Sequence, residues 1–397
     1  MIWDYITSWF GKGNRTEVCP YCFEYFVIKE TPFRCTNPPE RCAPEVDEVL
    51  GKVWNDRRPV GKIIPPANTY TKKIRCKSCN GISRKRVCPH CHCQLPHTIG
   101  EYQNYIFSII GAKESGKSHF VAVIINELKH RVGPECNILL EPLNDETIYR
   151  YNEDFFKPLY QNGVKLQATR SSRTNQNLPL VYSLSILKKN LWGKEVIDSV
   201  SILVFFDTAG EDLNSEDTMS AVNKYIIRSH GMILLIDSLQ IASVRDQLQS
   251  TTGLPNQNTE VGEIISRVNR LIRKGHEMDQ ETKIKIPIAV TFSKMDALQN
   301  LYPTNHIFLT HPNYKTGFDH DDFVRMNDEL KELMLKEWHQ NYIEILLRTN
   351  FSDYGYFGIS SLGCNPHMNN ERIQVRPIRI ESPIMWLLYK NELISKV

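Results

Sequence analysis

The chain has 397 residues, 41% hydrophobic and 23% charged, with a net charge of +3. That mix excludes a long disordered tract, and the length allows two or three domains, or one large domain with an appendage. No run of about 18 apolar residues occurs, which excludes an apolar membrane-spanning helix, predicts no membrane partner and points to a cytoplasmic protein.

The opening "IWDYITSWF" (2–10) lacks a positive leader and is too short for a secretion signal; amphipathic but short, it is expected to be a docking segment rather than a membrane anchor. Nine of the 11 cysteines lie within the first 93 residues, and in a reducing compartment such clustering reads as metal binding. "CPYCFEYFVIKETPFRCTNPPERC" supplies Cys19-x2-Cys22, then Cys35 and Cys42. "CKSCNGISRKRVCPHCHC" supplies Cys76-x2-Cys79 and Cys88-x2-Cys91. A C-x2-C knuckle aims two thiolates at one point, and two knuckles complete a closed tetrahedron around Zn²⁺. Taken in chain order, the cysteines predict one Zn²⁺ on Cys19, Cys22, Cys35 and Cys42 and another on Cys76, Cys79, Cys88 and Cys91. An interleaved arrangement, with Cys19/Cys22 and Cys76/Cys79 sharing one metal, satisfies the same spacing. Cys93, His90 and His92 are expected as neighbours rather than ligands. Closed tetrads predict structural metal, and residues 1–100 are expected to form a zinc-ribbon domain ahead of a second domain over 101–397. Within 57–86 there are ten basic residues and no acidic one. Such a patch suits nucleic acid or another acidic partner, or offsets nearby thiolate charge.

"YIFSII" (105–110) predicts a buried strand, and "SHFVAVIINELKHRV" further on predicts a helix. Between them Gly111, Ala112, Lys113, Glu114, Ser115, Gly116, Lys117 and Ser118 match G-x-x-x-x-G-K-S, the loop whose backbone N–H groups cradle phosphates. Lys117 is placed to reach the β- and γ-phosphates and Ser118 to ligate Mg²⁺, with His119 completing the contacting run. "LPLVYSLSIL" (178–187) and "VSILVFF" (200–206) flank the polar "KKNLWGKEVIDS", which predicts an antiparallel hairpin. Its second strand runs into Asp207, expected to hold Mg²⁺ through water. D-x-x-G spacing then brings the Gly210 N–H toward the γ-phosphate with no side chain in the way.

"AVNKYIIRSHGMILLIDSLQ" predicts a helix running into a buried strand, followed by a polar, turn-rich stretch over 241–260 and a helix near 259–275. "IPIAVTFSKMDAL" (286–298) predicts another buried strand, ending in Ser293-Lys294-Met295-Asp296. Over 321–350 a helical stripe of Phe323, Met326, Leu330, Leu333, Trp338, Ile345 and Leu346 is expected to pack on the sheet. Ser382 and Pro383 are expected at the N-cap and first position of a closing helix.

Ser293-Lys294-x-Asp296 resembles the N/T-K-x-D element of GTPases, with serine at its first place. In that element the aspartate accepts from the guanine N1–H and exocyclic amine while the lysine stem covers the ring. Adenine cannot make that pair of donations. Ser360, Ser361 and Leu362 in "YFGISSLG" resemble the S-A-x loop that closes over the base. Together with the phosphate loop and the hairpin, these elements resemble the TRAFAC class of P-loop GTPases. The cysteine pattern extends the resemblance to the bacterial double-GTPase type-2 family, with its N-terminal zinc-ribbon region.

The resemblance implies an α/β P-loop NTPase (G-domain) fold, with a mostly parallel central sheet carrying one antiparallel strand. It implies GTP/GDP and Mg²⁺ as ligands, a second GTPase or an effector as partner, a nucleotide-dependent homodimer and a role in antiviral defence. It places a first switch within 167–179, where Thr174, or else Thr169, completes the Mg²⁺ shell. Arg170 and Arg173 beside them are either transition-state groups or solvated loop residues. Glu211 stands where the water-orienting glutamine follows Gly210, and a carboxylate there is repelled by the γ-phosphate. Slow intrinsic hydrolysis, raised by a partner or by self-association, is therefore expected. The alternatives are a nucleic-acid-stimulated NTPase that binds DNA or RNA through the basic zinc-ribbon region, and a nucleotide-stabilised scaffold.

Overall fold

A predominantly apolar strand is stable only with both faces covered, and Ile106–Gly111, Gly231–Asp237 and Ile288–Ser293 are buried along their whole length. They form the middle of the fold. The computed structural model describes residues 13–397 apart from 56, 68, 102–103, 113, 167–178, 206–220, 249–253, 255–260, 304–305, 313, 315–316 and 365–371.

Toward the N-terminus, short strands pair as antiparallel ribbons: β1 (Thr16–Val18) with β2 (Tyr25–Val27), β3 (Phe33–Arg34) with β4 (Ile63–Ile64), and β5 (Ile74–Arg75) with β6 (Ile82–Ser83). Helix α1 (Glu48–Trp54) begins at Asp47, whose carboxylate accepts from Leu50 N and also meets Arg34 and His92. Burial works against that charge, but those three contacts outweigh it and hold the carboxyl at about 2. Two- and three-residue ribbons are not stable alone, so this region needs cross-links of the kind its cysteines can supply.

The second region runs β7 (Ile106–Gly111), α2 (Lys117–His130), β8 (Ile138–Pro142), α3 (Asp145–Arg150), β9 (Leu180–Lys189), β10 (Glu195–Phe205), α4 (Ala221–Ile227) and β11 (Gly231–Asp237). There follow α5 (Ala242–Gln247), α6 (Val261–Gly275), β12 (Ile288–Ser293), α7 (His320–Glu332), α8 (Asn341–Asn350), β13 (Tyr354–Gly358) and α9 (Ser382–Lys390). The strands lie in the order β13-β12-β11-β7-β10-β9-β8. β9 runs antiparallel to both neighbours, and the other adjacent pairs are parallel. The expected hairpin is present, with Phe205 opposite Leu180. The sheet and its helices form an α/β fold, a mostly parallel seven-stranded sheet with one antiparallel strand, preceded by a small cysteine-rich region.

Side chains alternate across the sheet. Ile106, Ile110, Ile202, Val204 and Leu234 face one core, shared with α6, α8 and a cysteine knuckle. Phe107, Ile109, Leu203, Phe205 and Leu235 face the other, shared with α2 and α9. Among the described residues no helix is long and apolar enough to cross a membrane.

Three expectations need correction. The stripe over 321–350 is not one helix: α7 stops at Glu332, a wider π turn covers Leu333–Glu337, and His339 has a left-handed backbone (φ 55°) before α8. The wider turn shifts the helical register, so Trp338, Ile343 and Leu347 point inward while Ile345 is 50% exposed. Helix α9 begins at Ser382 itself, after Glu381, which moves Pro383 one position further in. The polar stretch after β11 contains the short helix α5.

Phe292 is fully buried, edge-on to Trp338 at a centroid distance of 5.0 Å. Phe292→Ala is expected to lower stability by about 3–5 kcal/mol, and Ile345→Ala by less than about 0.5 kcal/mol. Denaturant unfolding of the two variants checks both.

Candidate functional site

The parallel strands end at a common edge. Their register sets Gly111 beside Leu235 and Asp237 beside Ser293. After β7 the chain crosses to the far side of the sheet, then returns to flank β7 with β10 and β11. A crevice at such a point of reversal is where α/β sheets bind ligands.

The loop after β7 is tightly wound. Glu114 and Gly116 have φ of 65° and 91°, and only glycine takes that conformation without strain. A Cβ on Gly111 would lie 2.5 Å from Ser115 Oγ and 2.7 Å from Leu235 O, so a side chain there would push the loop off β11. Lys117 opens α2 and folds back, donating from Nζ to Gly111 O (2.8 Å) and Ala112 O (2.9 Å). The ammonium is thereby held at the mouth of the loop, at the positive end of the helix dipole. Ser115 Oγ is buried with no hydrogen-bond partner among the described residues. Ser118 lies in the first turn of α2, half-buried. Next to it, His119 Nε2 accepts from Leu166 N at 3.3 Å. Burial, aided by Lys165 and Lys294, lowers this imidazole to about 4, so it is neutral at pH 7 and able to accept.

Ser293 closes β12, with Oγ 2.9 Å from Ser115 O and 3.2 Å from Ile236 O. One short side chain ties the S-K-x-D element to the loop after β7 and to β11. Lys294 follows with a left-handed φ of 61°, and its Nζ meets Asp237 Oδ2 at 2.6 Å. Asp237 is buried and also accepts from Leu239 N. It is missing from the expectations drawn from sequence, although an acid closing a wholly apolar strand is a legible signal. Asp296 sits in the 3₁₀ turn Met295–Leu298, 9% exposed, with Ser360 Oγ donating to its Oδ1. Burial raises its carboxyl above the ordinary value, against the opposing pull of Ser360 and Lys294.

The loop after β13 is held from behind. Ser360 pairs with Ile378, Arg376 N donates to Leu362 O at 2.9 Å, and the Ser360 hydroxyl accepts from Gly363 N at 2.8 Å. Ser361 is half-buried, and Leu362 packs into the core on the α2 side. Lys113, Thr169, Arg170, Arg173, Thr174, Asp207, Gly210 and Glu211 lie outside the described residues. β10 brings the chain to Phe205, just short of Asp207.

The cysteines group differently from their chain order. Cys19, Cys22, Cys88 and Cys91 form one tetrad, and Cys35, Cys42, Cys76 and Cys79 the other. Both the sequential grouping and the Cys19/Cys22 with Cys76/Cys79 arrangement are therefore wrong, although the eight residues are the expected ones. The cause is an antiparallel crossing: Arg34 N donates to Lys85 O and Val87 N to Pro32 O. It turns Cys88 back toward Cys19 and leaves Cys76 and Cys79 beside Cys35.

A tetrahedral Zn²⁺ with Zn–S of about 2.3 Å implies S···S edges of about 3.8 Å. The observed separations are 3.7 Å for Cys19–Cys91, 3.8 Å for Cys22–Cys88 and 3.6 Å for Cys35–Cys79. Both tetrads fit the ion. His92 Nδ1 is engaged with Asp47 and His90 Nε2 with Tyr25 O, and neither they nor Cys93 join a tetrad. The double variant Cys19→Ser/Cys88→Ser is expected to retain one Zn²⁺ per chain by elemental analysis. Sequential grouping would require both ions to be lost.

No protein-family profile matches the chain. It is 24% identical over 346 residues to a protein of Mycolicibacterium smegmatis (strain ATCC 700084 / mc(2)155), provisionally described as the ESX-1 scaffolding and assembly protein SaeC. That match covers 81% of this chain and 83% of the relative. Among solved structures, the S. cerevisiae Ski7 GTPase-like domain bound to GDP and inorganic phosphate aligns at 14% identity and a TM-score of 0.32. The alignment covers 73% of this chain and 50% of that one, so the chain spans half the length of that structure. The Trypanosoma brucei small GTPase Arl6 (BBS3) with bound GppNp aligns over 74% of this chain and 100% of its own, at 9% identity and a TM-score of 0.28.

Proposed function

We propose that the chain is a guanine-nucleotide switch that binds GTP and hydrolyses it slowly. The observation that carries this reading is the convergence at one sheet edge of the Lys117-held loop and the Asp296–Ser360 pair, joined by the Ser293–Ser115 hydrogen bond. Asp296 accepts from the guanine N1–H and exocyclic amine. Each carboxylate oxygen has two acceptor sites, so the Ser360 contact leaves room for both. Lys294, braced by Asp237, lays its stem along the ring. The loop amides and Lys117 hold the phosphates.

Ser118, in the first turn of α2, would hold Mg²⁺ together with Asp207 and Thr174. When bound, Mg²⁺ neutralises charge on the β- and γ-phosphates. Gly210 N–H meets the γ-phosphate, and its loss on hydrolysis releases the segment that follows. Glu211, repelled by that phosphate, orients water poorly, which keeps turnover slow until a second GTPase, an effector or a second copy assists.

The M. smegmatis relative favours a second reading within the same chemistry, a nucleotide-gated part of an assembly. The defence role implied by family resemblance has no described residue behind it. The nucleic-acid alternative draws on the run 57–86, but Arg86 is buried against Phe33 and Tyr70, and Arg57 and Lys72 pair with Glu48 and Glu101.

Competition of GDP and ADP for the purified protein tests the reading. Guanine is expected to win, and Asp296→Ala to weaken GDP by about 100-fold, two charge-assisted hydrogen bonds being lost. ATP preferred over GTP would overturn it. The base must meet an ionised Asp296, whose carboxyl is raised. GDP affinity is therefore complete above that raised value and falls as pH drops through it, beginning at a higher pH than an ordinary carboxylate allows. A titration of affinity against pH checks the sign. Turnover of the isolated chain is expected below about one per second at 25 °C.

A further inference from the structure

The two tetrads differ in their surroundings. Cys19, Cys88 and Cys91 belong to the same continuous core as Ile106 and Ile110 of β7 and Ile202 and Val204 of β10. Cys35, Cys42 and Cys76 pack in a separate small cluster with Phe33 and Ile64.

The path from the first tetrad to the sheet runs through the knuckle turn. Phe23 closes that turn with a left-handed φ of 57°, fully buried, its N–H on Cys19 O at 3.0 Å. Its ring lies 5.2 Å from the ring of Tyr225 on α4. Two further contacts grip the same helix end: Glu24 pairs with Lys224, and the Arg228 guanidinium lies 4.1 Å over the Tyr25 ring.

Tyr225 occupies an unusual place. The ladder between β7 and β10 consists of Ile202 opposite Ile106 and Leu203 opposite Phe107. Beyond those pairs a side chain takes over. Ile109 N donates to the Tyr225 oxygen at 3.1 Å, and the hydroxyl proton is directed to Val204 O, with Phe107 O 3.0 Å away. The strand pairing is continued by a phenol, just before Gly111 on one strand and Phe205 on the other. The chain that leaves the sheet at Phe205 rejoins the described fold at Ala221, on the helix that carries Tyr225.

We propose that Tyr225 is a positioning residue for the nucleotide edge, and that Zn²⁺ in the Cys19–Cys22–Cys88–Cys91 tetrad sets its position through Phe23. Without the ion the two knuckles lose the cross-link between them and only their turn hydrogen bonds and core packing remain, so the knuckle loosens and the Phe23 ring is less firmly placed. The phenol then drifts, and Ile109 N and Val204 O are left as buried groups without a partner, which is unfavourable. The second tetrad, packed in its own cluster, has no such influence. The consequence for nucleotide retention rests on the guanine-nucleotide reading, but the coupling to the strands does not.

Hydrogen exchange on the full chain tests the coupling without nucleotide. Peptides covering 106–111 and 200–205 are expected to exchange about five- to tenfold faster in Tyr225→Phe, the equivalent of one buried hydrogen bond. Cys22→Ser, with its loss of one Zn²⁺ verified, is expected to match it, and the double variant to add nothing further. Cys79→Ser, which empties the other tetrad, is expected to leave those peptides within about twofold of wild type. If Cys22→Ser does not fold, Phe23→Leu replaces it, keeping the apolar bulk and removing the ring contact. Unchanged exchange in Tyr225→Phe, equal effects from the two tetrads, or additive effects would each overturn the proposal. Release of a fluorescent GDP analogue is expected to accelerate in the same order. A wild-type chain that binds no nucleotide would overturn the guanine reading while the exchange data still decide the coupling.

Discussion

The pairing of β7 with β11 on one side and β10 on the other is the constraint from which the rest of the site follows. β7 is six residues long and buried throughout, so it has no freedom to slide without moving apolar side chains to the wrong face. Its register brings Gly111 against Leu235, and the close approach there admits no Cβ. Once the loop is forced to turn at that point, Ser115 O meets the end of β12, and Ser293 secures it. The left-handed residues Glu114 and Lys294 carry strain of about 1–3 kcal/mol each. Each fully buried aliphatic side chain on the three central strands contributes about 1.5–3 kcal/mol. Burial outweighs the strain several times over, so the sheet can hold the loops in conformations they would not choose.

The charged groups at this edge are arranged for orientation more than for stability. Asp237 is deeply buried while Lys294 is about one-third exposed. A pair of that kind contributes little net stability, because taking the carboxylate out of water offsets most of the attraction. Its effect is to fix the direction of the lysine stem. Asp296 stands in the opposite situation: burial disfavours its charge, and a base donating two hydrogen bonds would restore it. Lys117 is steered by two carbonyls of its own loop, which fixes where its ammonium lies.

The cysteine-rich region is small in apolar content and gathers eight cysteines into two tetrads that fit a metal ion. One tetrad packs in a separate small cluster with its own few hydrophobic neighbours. The other is a continuation of the sheet's core. A cysteine tetrad placed in a continuous core is mechanically connected to everything packed in it, because close-packed interiors transmit displacement.

Much was legible in the sequence because it depends on neighbours in the chain. The tight loop after β7, the buried strands, the β9–β10 hairpin and the eight cysteines that gather into tetrads all follow from local spacing and periodicity. So did Asp296 and Ser360, whose surrounding motifs have a recognisable order. What the sequence left open depends on contacts between distant segments. A wider turn within 333–337 displaced Ile345 from the core, and helical periodicity cannot register a change of pitch. The grouping of the cysteines was decided by the crossing of residues 32–34 with 85–87. The pairing of Lys294 with Asp237 was decided by the adjacency of β11 and β12, and the role of Tyr225 by the short ladder between β7 and β10. Chain spacing determines which side chains are available, and strand order and register determine which of them meet.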